Sequence, residues 1–447
     1  MNVRSFADDL LGLEGFARRL EAYLEVEHEY VPGSLVVSLN GKFGAGKTTF
    51  LKMWKESVKS RSAASGPIVI HLNAWESDYL GDPISAIISS LEVAVGPNDP
   101  NVRGIVQAAM DVGWFALAIG GQVASKTTGI DVAAAATFTE SRSKARPKTS
   151  AGNAYSHFKE RQSALVNLKR QIEGFVAAVA PARIIFLVDE LDRCRPDYAI
   201  AYLETIKHVF DVVGLTFVLS VDRAQLESVA RAIFGQGLDF GEYYRKFVHR
   251  EVALPPISED GYMKVAVAYV SEYLQKAGKR LTLLRADSVT NDRIVDWIAG
   301  LRLSPRQIQE VFRILGHVAA KEPSDARGTL TFAYAAAVIA MASLKVSEAN
   351  IYHELGRGVF APQRAKELCE RTSAGGPWWL LLFFFGGGLS VPKATTPIAF
   401  ADELGLYVDL PQERRERALS CDRYDWGHRE KSLSFIYSLI EYVSTFS

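Results

Sequence analysis

Lys47, Thr48, Asp189 and Glu190 are the residues whose types and settings can do chemistry on a phosphate chain. The first two close the run Gly41-Lys42-Phe43-Gly44-Ala45-Gly46-Lys47-Thr48, which fits G-x-x-x-x-G-K-[ST]. Backbone N–H groups of this loop (Gly41, Phe43, Gly44, Ala45, Gly46), and of Lys47, Thr48 and Thr49 at a helix start, can wrap a phosphate chain. The Lys47 ammonium would neutralise β- and γ-phosphates, and the Thr48 hydroxyl would ligate Mg²⁺. Asp189 and Glu190 end the apolar run Ile184–Val188. An acid at the carboxyl end of a buried strand can reach that metal, usually through water. A second acid beside it can take a proton from the attacking water. Hydrolysis, rather than nucleotide binding alone, is therefore expected.

Strands and helices must hold these residues. Leu35, Val36, Val37 and Leu39 make a short apolar strand before the loop, and Thr49 to Lys59 reads as a helix after it. Pro67–Ala74 reads as a second strand and Pro83–Val95 as a helix. Tyr155–Val179 carries an apolar stripe at helical spacing, and 183–188 is a strand apolar after its first residue. Pro196–Phe210 is a helix, and Leu215–Val221 is another apolar strand. Strands alternating with helices, apolar throughout, predict an α/β fold with a parallel sheet covered on both faces. Thr48 and Asp189 stand 141 residues apart, whereas one crossover needs only about 30. A large insertion must lie between them, placed at about 96–150, with 96–104 as a loop.

Other residues admit two readings each. Asp222, after the strand 215–221, can sense a γ-phosphate or cap a helix. Arg306, in Leu303-Ser304-Pro305-Arg306-Gln307, begins a helix with Ser304 as N-cap. It can reach the γ-phosphate from a lid or be a surface arginine. One basic residue of Arg245–Arg250 can act on a neighbouring subunit. Trp378–Phe385 is eight apolar residues, too few to span a bilayer, and reads as core or as an exposed partner-binding patch.

Composition sets bounds. The 447 residues are 48% apolar and 23% charged, with 51 basic and 51 acidic side chains. That balance gives no whole-chain electrostatic case for nucleic acid or anionic membrane. Three scattered cysteines (Cys194, Cys369, Cys421) form no disulfide framework. The N-terminus has acids among its apolar residues and does not read as a signal peptide. Residues 104–125 are long enough to span a bilayer but are diluted by Gln107, Asp111, Gln122 and glycines. A cytoplasmic protein is expected, with inner-membrane association through 104–125 as the alternative. Helical segments follow Pro256.

Taken together, these pieces resemble the KAP family of P-loop NTPases, in the additional-strand division that includes AAA+ and STAND ATPases. The residues that carry the resemblance are Gly41–Thr48, Asn73-Ala74-Trp75, Asp189-Glu190-Leu191-Asp192-Arg193-Cys194, Val218–Arg223 and Ser304-Pro305-Arg306. It implies a P-loop NTPase three-layer sandwich (31–255) after an N-terminal helical segment (1–30). A helical lid (256–347) and a C-terminal, mostly helical region (348–447) follow. It also implies ATP with Mg²⁺, formation of a homo-oligomer and a separate effector protein. Bacterial members resemble components of phage-defence operons. The expected activity is an ATPase coupled to conformational change or assembly, and an ATP-switched scaffold with negligible turnover is the alternative.

Overall fold

The computed structural model describes residues 5–61, 66–120, 154–276, 288–321, 332–372, 376–420 and 432–445. The chain divides into two compact units, one built on Leu13–Pro255 and the other on Pro256–Ser447.

In the first unit, helix α1 (Glu14–Glu27) buries Ala17, Leu20 and Leu24. Its Glu21 accepts a 2.7 Å hydrogen bond from Trp54 of helix α2 (Lys47–Arg61). Phe16, in α1, packs on Phe50 of α2 with ring centroids 5.3 Å apart. The N-terminal helix therefore packs within this unit.

Five strands, β1 (Leu35–Asn40), β2 (Ile68–Asn73), β3 (Ile184–Asp189), β4 (Leu215–Val221) and β5 (Arg250–Ala253), form one parallel sheet in the order β2-β3-β4-β1-β5. Every residue of β3 and β4 is buried. Helices on both faces exclude water there, hence the mostly apolar runs. After α2, the helices are α3 (Ala74–Asp78), α4 (Pro83–Val95), α5 (Pro100–Gly120), α6 (Ala154–Val179), α7 (Pro196–Val209), α8 (Arg223–Phe234) and α9 (Phe240–Tyr244). On one face, Val36, Ile70, Phe186 and Phe217 join a single core with α4 to α8. Phe186 and Phe217 stack across neighbouring strands at 4.9 Å. On the other face, His28, just after α1, meets Thr216 of β4 at 2.6 Å.

Two elements differ from expectation. Strand β5 is four residues long, starts with two charges and pairs only with β1 at the sheet edge. Such a strand carries little apolar pattern. Helix α5 starts at Pro100, inside the stretch expected to be a loop, because the Asp99 carboxylate accepts the N–H groups of Asn101 and Val102 at 2.8 and 3.2 Å. Helices α5 and α6 enter the core through Val102, Ile105 and Ala108 and through Leu168, Ile172 and Phe175. They occupy the gap between Thr48 and Asp189. Residues 121–153, including the basic run 142–148, lie outside the described residues. Among the described residues, no helix is long and apolar enough to cross a membrane.

The second unit is built from helices, among them Glu259–Lys276, Ser288–Gly300, Pro305–Lys321, Phe332–Ser347, Gly376–Phe385 and Leu433–Ser444. One apolar core runs from Val265 to Ile440. The expected division at 347/348 is therefore absent, because helices from both sides bury their apolar faces together. Ser304 and Gln307 form a reciprocal cap, the Ser304 N–H donating to Gln307 Oε1 at 2.9 Å and the Gln307 N–H to Ser304 Oγ at 3.4 Å. Trp378–Phe383 is buried, and Trp379 lies 4.7 Å from Trp297 between ring centroids. The run is core, and the exposed-patch reading falls.

Candidate nucleotide-phosphate site

Strand register lines up the residues that matter. Asn73 of β2 stands opposite Asp189 of β3, Asp189 opposite Ser220 of β4, and Asn40 of β1 opposite Val221. The phosphate loop after Asn40, helix α3 after Asn73, and the Asp189-Glu190 turn thus share the carboxyl edge of the sheet. In open α/β sheets ligands bind at that edge. Strand β4 separates β1 from β3, the additional strand that the resemblance implied.

The loop is anchored to the sheet by the Gly41 N–H, which donates to Val221 O at 3.2 Å. Lys47 folds back over it, its Nζ donating to Gly41 O at 2.5 Å and Lys42 O at 3.4 Å. A Cβ at Gly41 would stand 3.2 Å from Lys47 Cγ, so glycine gives that side chain its path. Gly44 and Gly46 have φ of 82° and 90°, where side chains with a Cβ are strained. Helix α2 then begins at Lys47, and the N–H groups of its first turn have no intrahelical acceptor. The loop and the helix start bring Phe43, Thr48 and Thr49 together, while the Ala45 N–H donates to Lys42 O at 3.1 Å within the loop.

Asp189 is 2% exposed. Its Oδ1 accepts from Ser220 Oγ at 2.9 Å and from the Glu190 N–H at 3.1 Å. Its Oδ2 is buried without a hydrogen-bond partner, and so is His71 Nε2, 3.8 Å away. Burial alone would raise the Asp189 carboxyl, but His71, Thr48 and Ser220 outweigh it and hold the group below its usual range. The carboxylate is thus kept charged beside Thr48. A buried carboxylate oxygen without a donor is costly, and a hard cation with its waters satisfies it. Thr48 and Asp189 fit Mg²⁺ in this respect: such sites combine a hydroxyl or carboxylate with substrate phosphates and water rather than an all-protein cage.

Glu190 turns the chain sharply. Its φ of 60° and ψ of 25° are left-handed, costing a non-glycine residue roughly 1–2 kcal/mol. The side chain is held from two sides. Asn73 Nδ2 donates to Oε2 at 3.0 Å, and Arg193 Nη1 pairs with Oε1 at 2.8 Å. The Arg193 guanidinium in turn lies 4.9 Å from the Phe43 ring centroid and 5.8 Å from that of Trp75. A second bracket fixes α3 against the same turn: Arg195 gives its N–H and Nε to the Asp78 carboxylate, both at 2.9 Å, and Nη2 to the Asp78 carbonyl at 2.7 Å. Asn73, Ser220, His71 and Arg193 carried no assigned role in the sequence reading. The Asn73-Ala74-Trp75 and Arg193-Cys194 runs were the available signal for two of them.

The remaining candidates separate. Asp222 Oδ1 accepts the Ala224 N–H at 3.1 Å and caps α8, so of its two readings the geometry takes the helix cap. Asp222→Ala is expected to lower stability by about 1 kcal/mol, read as a lower denaturation midpoint, while Asp222→Asn keeps it. Arg250 pairs with Glu27 of the same chain at 2.8 Å, and Arg245 Nε donates to Gly241 O at 3.0 Å. Arg245 and Arg250 of the expected finger cluster are thus engaged locally. Arg306 belongs to the second unit, in the first turn of the helix Pro305–Lys321.

A family model described as the KAP family P-loop domain matches residues 15–321. Among curated proteins no sequence matches the chain. Three solved structures are similar over much of it. The Aeropyrum pernix ORC2 protein in its ADPNP-ADP complexes is 12% identical, with 97% of this chain and 95% of that one covered and a TM-score of 0.35. C. elegans PCH-2 is 11% identical over 75% and 68%, with a TM-score of 0.30. The Aeropyrum pernix ORC1 protein in complex with DNA is 13% identical over 92% and 93%, with a TM-score of 0.33. Likeness at this level carries nothing about the chemistry of the present chain. The family match covers more than two thirds of the residues and contains every element of the phosphate site: the chain belongs to the KAP family of P-loop NTPases.

Proposed function

We propose that the chain is a Mg²⁺-dependent ATPase that couples ATP binding and hydrolysis to a conformational change or to assembly with a partner protein. The observation that supports it best is Asp189, a carboxylate 2% exposed whose Oδ1 accepts from Ser220 and the Glu190 N–H and whose Oδ2 is buried without a hydrogen-bond partner. Thr48 and Asp189 would hold Mg²⁺, which would supply positive charge against the charge that builds on the transferred phosphoryl group. The glycine loop and the start of α2 bind and orient the phosphates, and Lys47 supplies a positive charge to them. Glu190 holds the position next to Asp189 from which a carboxylate takes a proton from water. The homo-oligomer, the separate effector, the cytoplasmic setting and a role in bacterial antiviral defence are parts of the proposal that rest on the family resemblance alone.

Two measurements on one preparation test it. The purified chain is expected to release phosphate from ATP with Mg²⁺ and to stop when EDTA removes the metal. Mass photometry with ATP, ADP or no nucleotide is expected to follow the assembly state through the cycle. ATP-dependent assembly without phosphate release would replace this reading with an ATP-switched scaffold.

A further inference from the structure

We propose that Arg193 is a positioning residue for Glu190, and that Phe43 and Trp75 hold Arg193 so that phosphate loop and proposed base are set as one piece. The inference rests on the ATPase reading above.

Four observations lead to it. The Arg193 guanidinium forms an ion pair with Glu190 Oε1 at 2.8 Å, while Asn73 Nδ2 donates to the other oxygen, Oε2, at 3.0 Å. A hydrogen bond and an ion pair from different elements hold the two oxygens of the carboxylate, and each oxygen keeps a lone pair for water. The same guanidinium lies within cation–π reach of two rings, Phe43 and Trp75. Those rings are 59% and 52% exposed. Phe43 is part of the phosphate loop, and Trp75 sits on α3. Finally, the Asp78–Arg195 bracket ties α3 to the turn that carries Arg193, so Trp75 and Arg193 move together. The planar guanidinium suits this place better than an ammonium, since it can stack on rings and still present a directed N–H to a carboxylate.

A base displaced by about 1 Å costs on the order of 100-fold in rate. Arg193→Ala is therefore expected to lower kcat about 10- to 100-fold, with KM for ATP and ATP affinity within about twofold of wild type. Arg193→Lys should recover part of the loss, and Trp75→Ala should lose several-fold of kcat. The decisive comparison is the double variant: in a Glu190→Gln background, Arg193→Ala should lower turnover no further, because its effect passes through the carboxylate. An equal fall in both backgrounds, or a rise in kcat, would overturn the assignment. So would wild-type kcat in Arg193→Ala. If Arg193→Ala does not fold, judged by circular dichroism, Trp75→Ala carries the same test, and its wild-type kcat would be the contrary result. A wild-type chain that binds ATP but releases no phosphate overturns the ATPase reading and this inference together. An active wild type with an unaffected Arg193→Ala overturns this inference only.

Discussion

Glu190→Gln is expected to bind ATP as the wild type does and to turn it over about 10²- to 10⁴-fold more slowly. The substitution keeps the size of the side chain and an oxygen that can still accept from Asn73, which sits 3.0 Å from Oε2 in the native chain. It removes the proton acceptor and the charge that pairs with Arg193. The phosphate loop, Lys47, Thr48 and Asp189 stay in place, since none of their hydrogen bonds runs through the Glu190 side chain; only its backbone N–H meets Asp189. Binding and turnover should therefore separate. Isothermal calorimetry for ATP and a phosphate-release assay on the same sample read the two halves.

Lys47→Ala acts on the other half. In the native loop its ammonium donates to the carbonyls of Gly41 and Lys42, and with substrate it is the only cation in the Gly41–Thr48 motif besides Lys42. Removing it leaves two loop carbonyls that water can reach, so the fold should hold. What is lost is the charge that balances the phosphates. A ligand at 100 times its Kd stabilises a protein by about 2.7 kcal/mol. Wild type should show a clear ATP-induced rise in Tm. Lys47→Ala should show none, with its Tm in the absence of nucleotide close to that of wild type. A retained ATP shift would mean that the phosphates sit elsewhere.

How much of this could be read from sequence depends on whether the signal is local. The loop is a contiguous motif, and β3 and β4 are mostly apolar runs because both faces of the sheet are covered; each announces itself within a few residues. Asp189 and Glu190 followed from their place at a strand end. What escaped depends on which strands are neighbours. Ser220 closes the apolar run of β4, and nothing local says that β4 lies against β3 and turns this hydroxyl onto Asp189. Arg250 stood among the basic residues of Arg245–Arg250 open to a role at a neighbouring subunit, and its partner, Glu27, lies on a helix far back in the chain. Strand β5 is too short and too charged for a periodic pattern, and α5 was masked by prolines and glycines at its start, where Asp99 in fact caps it. Asp222 was ambiguous for a physical reason: a carboxylate after a strand and before a helix is equally suited to a cap and to a ligand, and only the 3.1 Å bond to the Ala224 N–H decides between them. In the second unit, one core made of many short helices diluted the helical periodicity beyond residue 350.

The central claim is that this site breaks the phosphoanhydride and does not merely hold it. A single-turnover reaction tests that most directly. Wild-type protein in excess is mixed with γ-labelled ATP in EDTA, then Mg²⁺ is added and labelled phosphate is followed in time beside Glu190→Gln treated identically. The account predicts that wild type converts the bound ATP to ADP and phosphate after Mg²⁺ is added, while Glu190→Gln retains it intact for at least about 100-fold longer. Bound ATP that stays intact in the wild type, or phosphate released equally fast by Glu190→Gln, would contradict it.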